Sequence, residues 1–425
     1  MRLVPLKEMA KVDISNVDKK AKDGEEAVLL CNFVDVYHNW AITKELVPTL
    51  MKATANESQI ERFSIHKGQV AITKDSETRD DIGVPTYIAD DIENGVLGYH
   101  CALITPDETE LRGKYLNIVL HSPYAQKYFE ANASGSGQRY TLTNEIIEGF
   151  PVPVPDDISI QDDFGKLCSE IDSKISNNTA ICSDLEAMAK LLYDYWFVQF
   201  DFPDENGKPY KSSGGKIVWN DELKREIPAG WEVKPLSDLC SFMNGINYDK
   251  NEVGNKKYRI VNVRNITASS LLLDDSDFDE IVLKSSQAER YLIADSDILI
   301  ARSGTPGATR LLLNNDGNTI FCGFIIRCAP NDVALRYYLT YVLKRLEGTT
   351  ATKTGGSILQ NVSQDTLGRV MVIVPNETIT DSFTKRIEGL HSLMQNAMIE
   401  NQQLASLRDF LLPMLMNGQV KVADN

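Results

Sequence analysis

The chain repeats one organisation twice, a β-rich segment followed by a long helical pattern. The first β-rich segment runs from Val4 to Pro155, and the second runs from Lys234 to Pro375. A repeat of this size predicts two similar folding units, because each copy carries its own apolar pattern. The fold class expected is therefore α+β, with two similar globules separated by two long helices in an internal repeat.

The two β-rich segments match piece by piece in the same order. Each contains a strand pattern with apolar residues at every second position, then an amphipathic helix, then a small-residue loop before a proline stop. Thr143 and Ser363 stand at matching positions, 220 residues apart, and an apolar residue follows each of them. The matching pieces are Val70–Ile72 with Ile298–Ile300, Tyr115–Leu120 with Tyr338–Leu343, Gly135–Gly137 with Gly355–Ser357, and Pro155 with Pro375. We interpret the loop as followed in each copy by a polar turn and a buried strand.

The helical segments also repeat, from about residue 160 to 198 and from about 379 to 416. In each segment the spacings between apolar residues are three, four or sums of these numbers, as on one face of a helix. The residues are Phe164, Ile171, Ile175, Leu185, Met188 and Leu192, then Phe383, Leu390, Met394, Leu404, Leu407 and Leu411. Each helix of about 40 residues spans about 60 Å. So long an apolar stripe must be buried, and the predicted partner is the other helix in a two-helix coiled coil. The alternative is that each helix packs on its own globule.

Length and composition indicate a soluble multidomain protein. A chain of 425 residues is expected to form at least two domains. The predicted boundaries are 1–155, 156–221, 222–375 and 376–425. No apolar run is long enough to span a membrane, and no signal-peptide pattern opens the chain. Seven scattered cysteines without a CxxC pair fit reduced thiols, so we expect a cytoplasmic location and no membrane association.

The charge is unevenly distributed. The formal net charge is −16, made up of −7, −7, 0 and −2 over the four predicted segments in order. The second globule is therefore neutral, and much of the acidic excess lies in the first helix and the junction after it. An acidic helix suits either a basic partner or simple solvation. Binding to nucleic acid would depend on local basic loops or on basic partner subunits.

No catalytic signature stands out in the sequence. The chain lacks the Asn/Asp-Pro-Pro-Tyr/Phe motif of amino-methyltransferases, a GxxxxGK[ST] phosphate loop and a paired-histidine metal motif. The run Asp274–Glu280 lacks the glycine and spaced glutamate of a calcium loop, so we interpret it as a solvated turn. We predict no catalytic residue, no metal site and no directly bound cofactor.

Three segments around the first helix, and one at the end of the second, carry a family resemblance. They are Leu185–Pro203, Asp204–Gly215, Ile227–Trp231 and Leu404–Val420. Together these segments resemble the conserved regions of the specificity subunit of type I restriction-modification enzymes. The resemblance extends over nearly the whole chain.

The resemblance implies a concrete function. In this family two inverted target-recognition domains each read half of a bipartite DNA sequence, and two conserved helices pair antiparallel and set the gap. The helices also dock two modification subunits, which hold S-adenosylmethionine and methylate adenine. Restriction subunits can join the complex and cut unmodified DNA, whereas the specificity subunit performs no chemistry. The expected partners are therefore double-stranded DNA, two modification subunits and, in some complexes, restriction subunits.

Candidate DNA contacts are basic, amide or small residues in loops, because base edges are read mainly by Arg, Lys, Asn and Gln. The candidates are Lys67, Lys74, Arg79, Gly135, Ser136, Gly137, Gln138, Arg139, Arg264, Arg302, Ser303, Gly304, Lys353, Gly355, Gly356, Ser357 and Gln360. For each one the alternative is a solvated loop or a turn glycine.

Candidate spacer or partner-docking residues lie on the helical stripes: Leu185, Met188, Leu192, Tyr195, Trp196, Leu404, Leu407 and Leu411. Trp196 suits either packing at the helix end or contact with the modification subunit. Trp231 is interpreted as a packing anchor. The competing function for the whole chain is a coiled-coil adaptor that binds proteins rather than DNA, which the acidic charge favours.

Overall fold

A computed structural model describes residues 2–136, 139–248, 254–347 and 362–416 of the chain. The fold divides into two compact units. Unit 1 contains Met1–Ile175 and the helical residues from Gln403 onward, and unit 2 contains Ser176–Gln402. Among the described residues, no helix is long and apolar enough to cross a membrane.

Unit 1 combines short strands with short helices. Its strands are β1 (Arg2–Pro5), β2 (Ala10–Ile14), β3 (Glu26–Cys31), β4 (Ala41–Ile42), β5 (Met51–Ala55), β6 (Val70–Thr73), β7 (Asp75–Ser76), β8 (Pro85–Ile88), β9 (Gly95–Leu97), β10 (Cys101–Pro106), β11 (Ser134–Ser136), β12 (Arg139–Thr141) and β13 (Pro151–Val154). Its helices are α1 (Phe33–His38), α2 (Glu57–Phe63), α3 (Gly113–Leu120), α4 (Pro123–Asn132) and α5 (Asn144–Glu148).

The strands of unit 1 form four sheets. The largest has the order β2-β10-β6-β8-β4, and a second has the order β5-β3-β9, with β9 parallel to β3. The hairpin β11-β12 joins β7, and β1 pairs with β13. Strand β6 is buried at every position, as its central place in the larger sheet requires. The predicted buried strand before Pro155 is β13, and Ile147 lies on the short helix α5 that precedes it.

A long helix, α6 (Ser159–Tyr193), follows the first set of strands. It contains 35 residues and continues into a π-helical turn at Asp194–Val198. No proline falls within it, so nothing removes a backbone hydrogen bond along its length. The first predicted helix is therefore present, with its last turn in π geometry.

Unit 2 repeats the pattern of short strands and helices. Its strands are β14 (Ile217–Asn220), β15 (Arg225–Pro228), β16 (Glu232–Pro235), β17 (Cys240–Asn244), β18 (Lys256–Val261), β19 (Asp279–Leu283), β20 (Ile298–Ala301), β21 (Thr309–Arg310), β22 (Thr319–Phe321), β23 (Ile325–Pro330) and β24 (Met371–Val374). Its short helices are α7 (Leu236–Leu239), α8 (Val263–Ala268), α9 (Ser285–Ala288), α10 (Arg336–Arg345) and α11 (Gln364–Gly368).

The sheets of unit 2 have the same connections as those of unit 1. The order β17-β23-β20-β21 corresponds to β2-β10-β6-β8, and β19-β18-β22 corresponds to β5-β3-β9. In both units the last strand of the smaller sheet runs parallel to its neighbour. The pairs β1-β13 and β16-β24 also correspond. The piecewise sequence match therefore reflects one strand topology used twice.

The second long helix, α12 (Glu377–Met416), contains 40 residues. In unit 2, Asn178 of α6 donates to Glu400 Oε2 at 2.7 Å, and Cys182 Sγ donates to the Met394 carbonyl at 3.5 Å. As the residue number rises along α6, the residue number of the bonded partner on α12 falls. In unit 1, Arg408 Nη1 donates to Asp172 Oδ1 at 3.2 Å.

An aromatic core joins the end of α6, the crossing segment and α12 within unit 2. Phe383 is fully buried, with its ring centroid 4.9 Å from that of Phe197 and 5.9 Å from that of Trp196. Trp231 stacks on Phe202 at 4.9 Å, so its interpretation as a packing anchor is confirmed. The same core contains strands and α10 of the second set, which explains why the crossing segment is ordered.

Replacing Phe383 by alanine should destabilise unit 2 by about 3–5 kcal/mol, because a buried phenylalanine leaves a large cavity. Leu393 on the same helix in unit 2 is 56% exposed, and its replacement by alanine should change stability by about 0.5 kcal/mol or less. Urea unfolding followed by tryptophan fluorescence measures both, since Trp196, Trp219 and Trp231 lie in unit 2. Equal midpoints for the two variants would contradict this packing.

Candidate nucleic-acid interface

The predicted small-residue loop of unit 1 is largely a β-hairpin. Ser134–Ser136 pairs with Arg139–Thr141, and Thr141 pairs in turn with Asp75 of β7. Gly135 has a φ of 138°, and a Cβ there would lie 2.1 Å from the Arg139 carbonyl oxygen. Glycine is therefore required by the close approach of the two strands. The described residues of the predicted loop are therefore paired strands, which are joined to β7.

Four polar side chains converge where this hairpin meets β7. Asp75 Oδ2 lies 2.9 Å from Lys74 Nζ, 2.6 Å from His100 Nδ1 and 3.3 Å from Arg139 Nη2. Arg139 Nη2 also lies 2.6 Å from His100 Nδ1. That ring nitrogen donates to Asp75 when it carries a proton and accepts from Arg139 when it does not. We call Lys74, Asp75, His100 and Arg139 the hairpin cluster.

The carboxylate is the centre of the hairpin cluster. Burial alone raises the pKa of Asp75, but hydrogen bonds from Thr141, His100 and Lys74 outweigh burial and lower the pKa to about 2. Asp75 is 8% exposed, whereas the Arg139 side chain is 56% exposed. Asp75 therefore stays ionised and orients a half-exposed guanidinium, which retains free donors for a ligand.

The other predicted contacts of unit 1 lie around the hairpin or apart from it. Arg79 is exposed, and its guanidinium lies 5.1 Å from the centroid of the Tyr140 ring on β12. Lys67 is exposed in the turn before β6, where its backbone amide donates to Asp91. Gly137 and Gln138 lie outside the described residues, and nothing is described of the Ser136 side chain.

In unit 2, Arg302 follows β20 as Lys74 follows β6. The backbone bonds are the same: Leu142 N donates to the Lys74 carbonyl at 2.7 Å, and Val362 N donates to the Arg302 carbonyl at 3.0 Å. Ser303 and Gly304 continue this loop, half-buried and exposed respectively. The structure thus brings Arg302, Ser303 and Gly304 together at the position equivalent to the hairpin cluster.

Arg264 was expected to contact DNA, but its side chain is held in ion pairs within unit 2. Its guanidinium donates to Asp277 Oδ2 at 2.7 Å and to Asp279 Oδ1 at 2.9 Å. The run Asp274–Glu280 is therefore more than a solvated turn, because its carboxylates also hold Arg259 and the amide of Gln402. Contact between Arg264 and a phosphate would require breaking two ion pairs.

The remaining predicted contacts of unit 2 are Lys353, Gly355, Gly356, Ser357 and Gln360, and they lie outside the described residues. The described chain resumes at Val362, which bonds to Arg302. Within the described ranges, no group of three or more His, Cys, Asp or Glu side chains is arranged to hold a metal ion.

The helical candidates separate into buried and exposed residues. Leu185 and Leu192 pack against the core of unit 2, and Trp196 is only 3% exposed within it. Leu411 packs on the core of unit 1, Leu404 is half-buried and Leu407 is 45% exposed. An exposed apolar stripe on α6 and its π turn consists of Met188 at 55%, Leu191 at 66% and Tyr195 at 37% exposure. We call these three residues the α6 stripe.

Several residues of these surfaces were missed from the sequence. Asp75 and His100 gave no signal, because their partners lie on strands far apart in the chain. Leu191 was passed over, although its spacing of three and four from Met188 and Tyr195 marks one helix face. Tyr99 and Phe324 were also missed, although each follows a glycine in the turn after a buried strand.

The pKa of Asp75 predicts how stability depends on pH. Because the folded pKa is depressed, Asp75 contributes stability above its ordinary value of 3.8, and the contribution is lost as pH falls through about 2. Asp75→Asn should lower the unfolding temperature at pH 7. Between pH 5 and pH 2.5 the unfolding temperature of the variant should decrease less with falling pH than that of the wild type. Asp80→Asn, at an exposed carboxylate of the same unit, is the matched control. Parallel curves for wild type and Asp75→Asn would contradict the assignment.

Comparison with known proteins finds two similar restriction-enzyme subunits. The chain is 24% identical to the specificity subunit of the type I restriction enzyme HindI of Haemophilus influenzae, over 84% of this chain and 87% of that protein. It is 26% identical to the MjaIX specificity subunit of Methanocaldococcus jannaschii, over 73% and 70% respectively. No family model matches.

Solved structures of the same kind are also similar. The S subunit of a type I restriction-modification system from M. genitalium covers 99% of this chain and 96% of its own, at a TM-score of 0.48 and 13% identity. The resemblance drawn from the sequence is therefore confirmed on the curated sequences: the relatives of this chain are specificity subunits of type I restriction enzymes.

Proposed function

We propose that this chain is the DNA-recognition subunit of a type I restriction-modification complex. The observation that carries the proposal is the similarity to two curated specificity subunits over most of the chain. Residues 1–155 and 222–375 act as target-recognition domains, and each reads one half of a bipartite site. Segments 156–221 and 376–425 contribute the conserved helices. The subunit performs no chemistry, and S-adenosylmethionine is held by the modification subunits.

The repeated strand topology supports the assignment of two readers. In each globule the residue after the central strand accepts the same backbone bond, Lys74 from Leu142 in one and Arg302 from Val362 in the other. The two loops differ in sequence, as two unlike half-sites require. We propose that α6 and α12 pair as an antiparallel coiled coil related by a pseudo-twofold axis. The descending order of partners on α12 within unit 2 supports this pairing.

A helical spacer makes the gap between half-sites part of the recognised sequence. Half-sites one helical turn apart, about 34 Å, present their major grooves on one face of the duplex. A helix rises 1.5 Å per residue, so α12 with its 40 residues is about 60 Å long. We propose that the long helices, and not a flexible linker, set the gap between the two half-sites.

The α6 stripe is the surface proposed for docking a modification subunit. Three large apolar side chains on one helix face remain exposed, and such a patch marks an interaction site more often than an isolated apolar residue does. Acidic residues are abundant on the same segment, where residues 156–221 carry a net charge of −7. A partner with a basic rim around an apolar pocket fits both features.

Recognition of separate half-sites is tested by Arg139→Ala. The variant, assembled with its modification subunits, should methylate its site about 10-fold to 100-fold more slowly, since a good base contact contributes about 1–3 kcal/mol. Discrimination at the first half-site should relax, and discrimination at the second should be unchanged. Methylation kinetics on duplexes with one altered half measure this. Relaxation at both halves, or at neither, would remove Arg139 from the first reader.

Docking through the α6 stripe is tested by Leu191→Asp. A charge at the centre of an apolar contact should abolish co-purification with the modification subunit while leaving the unfolding temperature unchanged, because Leu191 is 66% exposed. Val282→Asp, at a side chain 46% exposed on β19, provides the control and should co-purify normally. Normal assembly of Leu191→Asp would place the docking surface elsewhere.

A further inference from the structure

Both units expose one large aromatic side chain at the same turn of the fold. Tyr99 lies between β9 and β10 and is 46% exposed, and Phe324 lies between β22 and β23 and is 60% exposed. In each unit the preceding strand belongs to the smaller sheet and the following strand to the larger one. The two rings lie one residue apart in register, because the backbone bonds match Phe324 with His100, the residue after Tyr99. Scattered exposed aromatics need no explanation, but an exposed ring on the same turn of two diverged copies does.

A glycine before each aromatic residue lets the turn press against neighbouring backbone. A Cβ on Gly98 would lie 3.1 Å from Asn32 Cα, and one on Gly323 would lie 2.0 Å from Asn247 Oδ1. Any larger residue would push the turn outward or displace these neighbours. The turn is therefore held close to the sheet, and the ring that follows the glycine is presented to solvent.

A cation from the equivalent loop accompanies each ring. Lys74 N donates to the His100 carbonyl at 2.9 Å, and Lys74 Nζ lies 5.6 Å from the centroid of the Tyr99 ring. Arg302 N donates to the Phe324 carbonyl at 2.9 Å, and Arg302 Nη1 donates to the Gly323 carbonyl at 3.0 Å. Each unit thus offers one ring and one cation on adjoining turns.

We propose that Tyr99 and Phe324 are the aromatic DNA contacts of the two target-recognition domains. Each ring packs on a base or deoxyribose of its own half-site. In unit 2 Arg302 engages the adjacent phosphate, whereas in unit 1 Lys74 is largely buried against Asp75 and holds the turn in place. This inference rests on the proposed function and names residues that carry it. Apolar rings make contact with thymine methyl groups or wedge between base steps, and positive side chains beside them neutralise the backbone.

Duplex DNA fits these surfaces better than a protein partner does. A protein-docking site is expected to be a contiguous apolar patch, as on the α6 stripe. Beside Tyr99 lie instead His100 and Lys74, which together with Arg139 surround the carboxylate of Asp75. A single ring within a basic, polar surround is the arrangement that stacks on a nucleotide and pairs with its phosphate.

The test uses the complex with its modification subunits and a fluorescent duplex that carries the methylated site. Tyr99→Ala and Phe324→Ala should each weaken binding about 10-fold to 100-fold, the loss usual for a stacked aromatic. Tyr99→Phe should retain wild-type affinity. Leu3→Ala and Val333→Ala are matched controls, because these side chains are 65% and 64% exposed in the same units, and both should bind normally.

Duplexes with one altered half-site show which half each ring contacts. On a duplex whose first half is scrambled, Tyr99→Ala should cause no further loss, whereas Phe324→Ala should still weaken binding. Wild-type affinity of both alanine variants, or loss of modification-subunit assembly in either, would overturn the inference. If the wild-type complex itself recognises no bipartite duplex, the proposed function fails, and that outcome is distinct from a failure of the two aromatic residues alone.

Discussion

Burial of the apolar faces of the two long helices is the constraint on which the rest of the chain depends. A helix of 35 or 40 residues with an apolar stripe is not stable in water by itself, because tertiary packing supplies most helical stability. In unit 2 that packing is an aromatic core in which Phe383 of α12 meets Phe197 and Trp196 after α6. The crossing segment, the second set of strands and both helices therefore stabilise one another.

The repeat gives one scaffold two different polar surfaces. The strand orders correspond, and the bonds that hold Lys74 and Arg302 are the same, so the framework is preserved at the level of single backbone contacts. The side chains around those positions differ. In unit 1 Asp75 and His100 gather Arg139, while in unit 2 the acidic run after Leu273 holds Arg264 instead. A shared frame with different loops is what recognition of two unlike sequences requires.

Much of the framework was predictable from the sequence because helices and strands depend on the spacing of apolar residues that are close together in the chain. Apolar spacing of three and four predicted α6 and α12, and alternation predicted the strands that contain Val70–Ile72 and Ile298–Ile300. Errors arose where tertiary context decided the outcome. The polar turn expected before the last strand of unit 1 is the short helix α5, and the Gly135 loop is a hairpin because β12 pairs with the edge of β7.

The polar surfaces were harder to predict for a physical reason. The hairpin cluster joins residues 74, 75, 100 and 139, which meet only after the sheets have formed. Nothing local in the sequence distinguishes Asp75 from many other acidic residues. The residues next to Arg264 in the sequence likewise do not predict its two ion pairs. The exposed rings of Tyr99 and Phe324 become meaningful only once the turns that carry them are known to be equivalent.

Sequencing of methylated bases in the host genome tests the central claim most directly. With the chain and its modification subunits present, adenine methylation should occur at one bipartite motif with a fixed gap. Replacing residues 1–155 with those of another specificity subunit should change one half of that motif and leave the other half and the gap intact. A methylome without a bipartite motif dependent on this chain would contradict the account, as would a replacement that altered both halves.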